Sequence, residues 1–179
     1  GRGKTAMVLV PEIALTPQVM RFFVSYFGRS VAVLHSSLRA GERYDEWKRV
    51  RNGEARLVIG TRSAVFAPLN DLGLIILDEE HESSYKSENT PRYHARDVAK
   101  YRCVQHNALL LLGSATPSVE SMYHAQQGRY HLVRLDHRYN QKALPAVEIV
   151  DMKEELRAGN GSCISAQLRE ELEQNLRAG

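Results

Sequence analysis

Leu74-Ile75-Ile76-Leu77, followed at once by Asp78-Glu79-Glu80-His81, decides how the rest of the chain is read. A short unbroken aliphatic run is how a strand reads when both faces of a parallel sheet are covered by helices. Two adjacent acids at the end of such a strand repel each other, and a divalent cation relieves that cost. A carboxylate in this position suits Mg²⁺ held beside a nucleotide, and a second one suits orienting or deprotonating an attacking water. Alone, Asp78-Glu79 would read as a solvated acidic turn. Its surroundings argue otherwise.

Four further apolar runs flank it: Ala6 to Val10, Val31 to Leu34, Leu57 to Ile59 and Leu109 to Leu112. Each ends in a small polar cluster. These are Pro11-Glu12, His35-Ser36-Ser37, Gly60-Thr61-Arg62-Ser63 and Gly113-Ser114-Ala115-Thr116. In a parallel sheet the carboxyl ends share one edge, where ligands bind. Ordinary loop polarity explains any one cluster well and all five together poorly.

Helical stretches separate the runs. Thr16-Pro17 reads as a cap plus proline opening a helix to Phe27, stopped by Gly28. Glu42 to Arg51 and Ala95 to Gln105 give two more, and Thr116-Pro117 opens another that Gly128 closes. The alternation predicts an α/β fold, a doubly wound and mostly parallel sheet with helices on both faces. Beyond Tyr130 the pattern changes. His131 to Leu135 and Val147 to Val150 read as strands around a basic loop with Leu144-Pro145, and Arg157 to Ser162 reads as flexible. Ser165 then caps a last helix with Leu168, Leu172 and Leu176 on one face. A main unit over 1–136 and a connecting segment over 137–179 follow.

At 179 residues the chain can bury a sizeable core. Its net charge of +3 permits nucleic-acid binding without arguing for it. No apolar run approaches the ~20 residues of a membrane span, so a cytoplasmic location is expected. Cys103 and Cys163 stand apart, which supports neither a disulfide framework nor a cysteine zinc site.

Gly1-Arg2-Gly3-Lys4-Thr5 tempts a phosphate-loop reading. Such a loop follows a strand and opens a helix whose N–H groups face the phosphates. Here the next residues are the strand at Ala6. Gly3-Lys4 therefore reads as the turn into that strand, with the phosphate loop expected upstream and normal ATP binding by this stretch alone not expected.

Glu82 to Arg102 interleaves rings and cations: Tyr85, Lys86, Arg92, Tyr93, His94 and Arg96 lie just behind the acids. Rings that stack on bases and cations that meet phosphates suit single-stranded nucleic acid. The plainer alternative is a polar loop capping a helix at Ala95.

Several strings are more specific. Val10-Pro-Glu-Ile-Ala-Leu-Thr-Pro-Gln18, Leu34-His-Ser-Ser-Leu38 with Gly41-Glu-Arg43, Ile59 to Pro68, Asp78 to His81, Ser84-Tyr-Lys86, Arg92-Tyr-His-Ala-Arg-Asp97 and Gly113 to Ser118 closely resemble the PriA family of replication-restart DNA helicases, in superfamily two. The resemblance runs over nearly the whole chain. It implies a RecA-like lobe of P-loop NTPase type with the phosphate loop missing, and ATP and Mg²⁺ as ligands of the parent protein. Asp78 would hold Mg²⁺ through water, with Glu79 beside the metal activating the hydrolytic water. His81, Ser114 and Thr116 would couple nucleotide state to DNA grip. Pro11, Thr16, Thr61 and Arg62 would lie near the DNA backbone, and Tyr85, Lys86, Arg92, Tyr93, His94 and Arg96 would sense single-stranded DNA. The parent would run 3′ to 5′ at forked DNA in the bacterial cytoplasm, near the nucleoid. Single-stranded DNA-binding protein and other primosome proteins would be its partners, and no membrane. The family's second lobe and its cysteine-rich Zn²⁺ module are not in this sequence, so no zinc is expected here and independent activity is not expected. Alternatives are another superfamily-two translocase, a non-enzymatic single-stranded DNA-binding module, and a small-molecule P-loop kinase resting on Gly1 to Thr5.

Overall fold

The structure, a computed structural model, describes residues 3–136 and 146–178. Five strands form one sheet: β1 (Thr5–Leu9), β2 (Val31–Leu34), β3 (Leu57–Gly60), β4 (Leu72–Leu77) and β5 (Leu109–Leu112). Every pairing is parallel, and the order is β2-β3-β1-β4-β5. From a central β1 the chain goes to the edge at β2, returns inward to β3 beside β1, and then crosses to the other side for β4 and β5. That reversal is where an open α/β sheet leaves a crevice at its carboxyl edge.

Register decides what gathers there. Leu9 pairs with Gly60 and with Leu77, Leu34 with Gly60, and Leu77 with Leu112. The last residues of all five strands therefore lie in one row. Gly60 has no alternative at its place, because an added Cβ would run into the Leu34 carbonyl and lie 2.6 Å from Ala64 Cβ.

Helices cover both faces. α1 (Pro17–Phe27) packs Val19 and Phe23 with Val31, Leu57 and Ile59 on one side. On the other, α2 (Ala40–Arg51) contributes Val50, and α3 (Ala95–His106) contributes Ala95, Ala99 and Cys103 around Met7, Leu9, Val58, Ile75 and Leu77. β1 feeds both layers, Met7 and Leu9 to one and Ala6 and Val8 to the other, which explains its unbroken apolar sequence. β5 departs from that reading: Leu109 and Leu111 are exposed among the described residues.

Local signals mostly act where the sequence puts them. Thr16 Oγ1 accepts from Val19 N at 3.3 Å with Pro17 at the first helical position, and Gly28 ends α1 at φ 55°. Gly3 has φ 77° and leads into β1, with the next helical turn, Glu12–Ala14, only after the strand. Gly3-Lys4 is thus a turn into a strand.

Two expectations are corrected. α4 is Val119–Gln126 and is capped by Ser118, whose Oγ accepts from Ser121 N at 3.3 Å, and not by Thr116. Thr116 Oγ1 faces His81 Nε2 at 3.4 Å instead. The runs at 131–135 and 147–150 form no strand. A strand needs a ladder partner for its backbone groups, and Leu135, Val147 and Ile149 remain exposed instead. The Leu144-Pro145 loop lies outside the described residues.

The chain divides into two compact units, Gly1–Leu132 and Val133–Gly179. Within the second, α5 (Met152–Arg157) is capped by Asp151, whose Oδ1 accepts from Lys153 N at 2.8 Å. Sequence reading overlooked α5, although Asp151 before Glu154-Glu155 is a helix-start signal. The stretch read as flexible is an ordered turn: Asn160 Nδ2 donates to Glu155 at 2.6 Å and to the Ile164 carbonyl at 3.0 Å. α6 (Ala166–Ala178) is capped by Ser165 Oγ, which accepts from Leu168 N at 3.1 Å.

Candidate functional site

The site is built on the end of β4. Asp78 N donates to the Leu9 carbonyl at 2.9 Å, continuing the ladder by one bond. Asp78 then turns outward, its Oδ1 accepting from Glu79 N at 3.1 Å. Glu79 takes φ 45°, a left-handed conformation that costs a non-glycine residue roughly 1–2 kcal/mol. That turn sends three successive acids in three directions. Asp78 faces solvent, Glu79 is half-buried, and Glu80 is 2% exposed.

Glu79 Oε2 is buried and has no hydrogen-bond partner. An orphaned carboxylate oxygen of this kind calls for an explanation. His81 Nδ1 lies 3.7 Å away, beyond a hydrogen bond, and is engaged instead with Ser114 Oγ at 2.7 Å. The other ring nitrogen of His81 lies 3.4 Å from Thr116 Oγ1. One imidazole thus joins the tip of β4 to the tip of β5. Pro11, Ile13, Ala14, Glu79, His81 and Thr116 line a concavity of about 450 Å³ beside it. Two neighbouring carboxylates suit magnesium, which binds one or two protein carboxylates and completes its shell with water and phosphate oxygens. Among the described residues no group of three or more His, Cys, Asp or Glu is placed to enclose an ion.

The predicted strand-sensing residues divide. Residues 86–94 form a small hairpin, closed by a Lys86–His94 bridge and by Ser87 N donating to the Tyr93 carbonyl at 2.7 Å. Lys86 and Arg92 are exposed on it. Tyr93 packs edge-on against Phe66, ring centroids 5.0 Å apart, and Phe66 is itself exposed. Phe66 was not singled out in the sequence, because Ser63-Ala-Val-Phe66 reads as apolar filling. Arg62 braces the hairpin's base, its Nη1 donating to the Ser84 and Lys86 carbonyls at 3.2 and 2.6 Å. Thr16 is exposed, but it serves as the α1 cap.

Three residues, Tyr85, Thr61 and Pro11, are corrected, and His94 and Arg96 are engaged within the fold. Tyr85 is fully buried and cannot stack on a base. Its hydroxyl reaches the Leu9 carbonyl at 2.9 Å and the Asp78 carbonyl at 2.7 Å, tying the ends of β1 and β4 together. Burial, then the charges of Asp78, Glu82 and Glu79, push its phenol well above the ordinary value, so it stays a donor. Tyr85→Phe is expected to lower stability by about 1 kcal/mol, the net value of one such bond. Urea denaturation reads this, and an unchanged midpoint would refute the role. Thr61 is 3% exposed and Pro11 is buried, so neither offers a free edge to a DNA backbone, although Pro11 still lines the concavity. His94 caps α3 by accepting from Arg96 N at 3.2 Å. Burial, then the Arg96 charge, hold its imidazole below the usual histidine range, and the cap needs that neutral ring. Arg96 is turned inward onto Glu80 at 2.9 Å.

Relatives place the chain in a family. It belongs to the DEAD/DEAH box helicase family, whose family model matches residues 1–124. Within that class it is similar to proteins named replication restart protein PriA. It is 54% identical to the one from Bacillus subtilis (strain 168), over 99% of this chain and 22% of that protein. Identity is 50% to that of a Synechocystis strain, over 94% and 21% of the two chains, and 47% to that of Treponema pallidum, over 99% and 26%. The chain therefore spans about a quarter or less of the length of these relatives.

Proposed function

We propose that this chain is part of the first motor lobe of an ATP-dependent 3′–5′ DNA helicase acting in replication restart and primosome assembly. Residues 1–136 would supply the lobe and 137–179 would lead toward a second one. The carrying observation is the contact of His81 Nδ1 with Ser114 Oγ at 2.7 Å, beside an unpaired buried Glu79 oxygen. Bound Mg²⁺-ATP supplies the bond to be cleaved and the charge that two adjacent acids need.

In this reading Asp78 would hold Mg²⁺, and its Oδ1 bond to Glu79 N fixes the angle between the two acids. The Glu79 carboxylate, whose side chain is 43% exposed, would take the proton of the attacking water. His81 connects that event to the β5 tip through Ser114 and Thr116. Lys86, Arg92 and the Phe66–Tyr93 pair present charge and aromatic surface to a DNA strand, and Arg62 ties that rim to the sheet. The likeness to replication restart proteins supports forked DNA, single-stranded DNA-binding protein and primosome proteins as partners, in the bacterial cytoplasm. No described helix is long and apolar enough to cross a membrane.

The test is His81→Ala in the full-length protein. DNA-free ATP hydrolysis should persist while base pairs unwound per ATP fall about tenfold, within the usual range of coupling free energies. An unchanged ratio would remove the coupling role. Hydrolysis stimulated by RNA and not by single-stranded DNA would remove the substrate assignment.

A further inference from the structure

Three segments far apart in sequence meet on one buried carboxylate. Glu80 Oε1 accepts from Ser118 N at 2.7 Å. Its Oε2 accepts from Arg96 Nη1 at 2.9 Å, Ser121 Oγ at 2.9 Å and Ser118 Oγ at 3.2 Å. The same Nη1 lies 2.8 Å from Ser118 Oγ and 3.2 Å from Ser121 Oγ. Glu80 N in turn donates to the Gly113 carbonyl at 3.0 Å.

Each partner belongs to a different working part. Glu80 stands between Glu79 and His81 in the chain, so its position sets theirs. Ser118 follows Thr116 and starts α4, so it fixes the far end of the β5 tip. Arg96 lies in the first turn of α3, two residues after His94, which closes the hairpin that presents Lys86 and Arg92. One guanidinium therefore joins the base of the strand-facing hairpin to both tips of the catalytic edge. A simple core brace would not need this placement, since α3 already packs on the sheet through Ala95, Ala99 and Cys103.

We propose that Arg96 is a positioning residue that passes engagement of the 86–94 hairpin to Glu79 and His81 through Glu80, Ser118 and Ser121, without touching nucleic acid or nucleotide. This rests on the helicase reading above. All three contacts are made by Nη1; the length and rigid plane of the guanidinium fix that nitrogen between Glu80 and both serines, whereas a lysine ammonium is a point charge on a flexible stem.

The experiment uses the full-length protein and single-stranded oligo-dT. It compares wild type, Arg96→Lys and Ser121→Ala in DNA-free and DNA-stimulated kcat, DNA Kd and melting temperature. The proposal expects the ratio of stimulated to DNA-free kcat to fall about tenfold in Arg96→Lys and about fivefold in Ser121→Ala, with DNA Kd little changed, as a lost coupling requires. Equal falls in both rates, tracking the melting temperature, would show a structural brace and overturn it. So would an unchanged ratio, or a Kd that weakens in step with the ratio. If Arg96→Lys does not fold, Ser121→Ala, which keeps the ion pair, decides alone. A wild type that DNA does not stimulate would instead overturn the helicase reading itself, so the two failures are distinct.

Discussion

Glu79→Gln in the full-length protein is expected to abolish DNA-stimulated ATP hydrolysis while leaving ATP binding largely intact. The substitution keeps the size and the strained backbone of the side chain at φ 45° and removes only its capacity to accept a proton. A positioned general base contributes about 10²- to 10⁴-fold, so the loss should fall in that range. On the proposed function Glu79, and not Glu80, is the base, because the Glu79 side chain is 43% exposed whereas Glu80 is buried with four hydrogen-bond contacts on its carboxylate. Hydrolysis at the normal rate by Glu79→Gln would remove the catalytic assignment. Loss of ATP binding in parallel would show that Glu79 acts on the ligand instead of the water.

The second large effect is on stability. Glu80→Gln leaves the Arg96 guanidinium, 12% exposed, without its counter-charge. Breaking a buried pair on one side costs about 3–5 kcal/mol, most of it the penalty of the stranded charge. Chemical denaturation should show that loss at neutral pH. The difference should also depend on pH with a defined sign. Burial alone would raise the Glu80 carboxyl, but bonds from Ser118 N, Ser121, Arg96 and Ser118 Oγ outweigh it and hold the group below its ordinary 4.5. A depressed carboxyl stabilises the fold above the unfolded value, and that contribution is lost as pH falls through the folded one. The gap between wild type and Glu80→Gln should therefore be full above pH 4.5 and narrow below it. A gap that widens on acidification would contradict this account.

These two acids also show where sequence reading succeeds and stops. The gathered strand ends were legible because unbroken aliphatic runs followed by small polar clusters carry the signature of a parallel sheet and its edge. The α1 cap was legible for a similar reason, Thr16-Pro17 and Gly28 being local devices. What each side chain does within a turn was not legible. The φ of Glu79 decides that Glu80 points inward, and no spacing rule contains that angle. Tyr85 and Arg96 were read as strand contacts from their company of rings and cations. The short 3-10 turn at Ser83–Tyr85 drives the tyrosine into the core, and the first turn of α3 aims the arginine at Glu80. The apolar runs at 131–135 and 147–150 failed as strands for another reason. Their composition favours extended backbone, but pairing is a property of neighbours, which composition does not specify.

On the proposed function a metal ion sits at Asp78 with the β5 tip beside it. Replacing Mg²⁺ by Fe²⁺ in the nucleotide-bound full-length protein, with ascorbate and peroxide, cuts the backbone near the bound ion. Scission should concentrate at Asp78–Glu79 and at Gly113–Thr116, and Asp78→Asn or excess Mg²⁺ should suppress both. Cuts elsewhere, or cuts that persist undiminished in Asp78→Asn, would contradict the account.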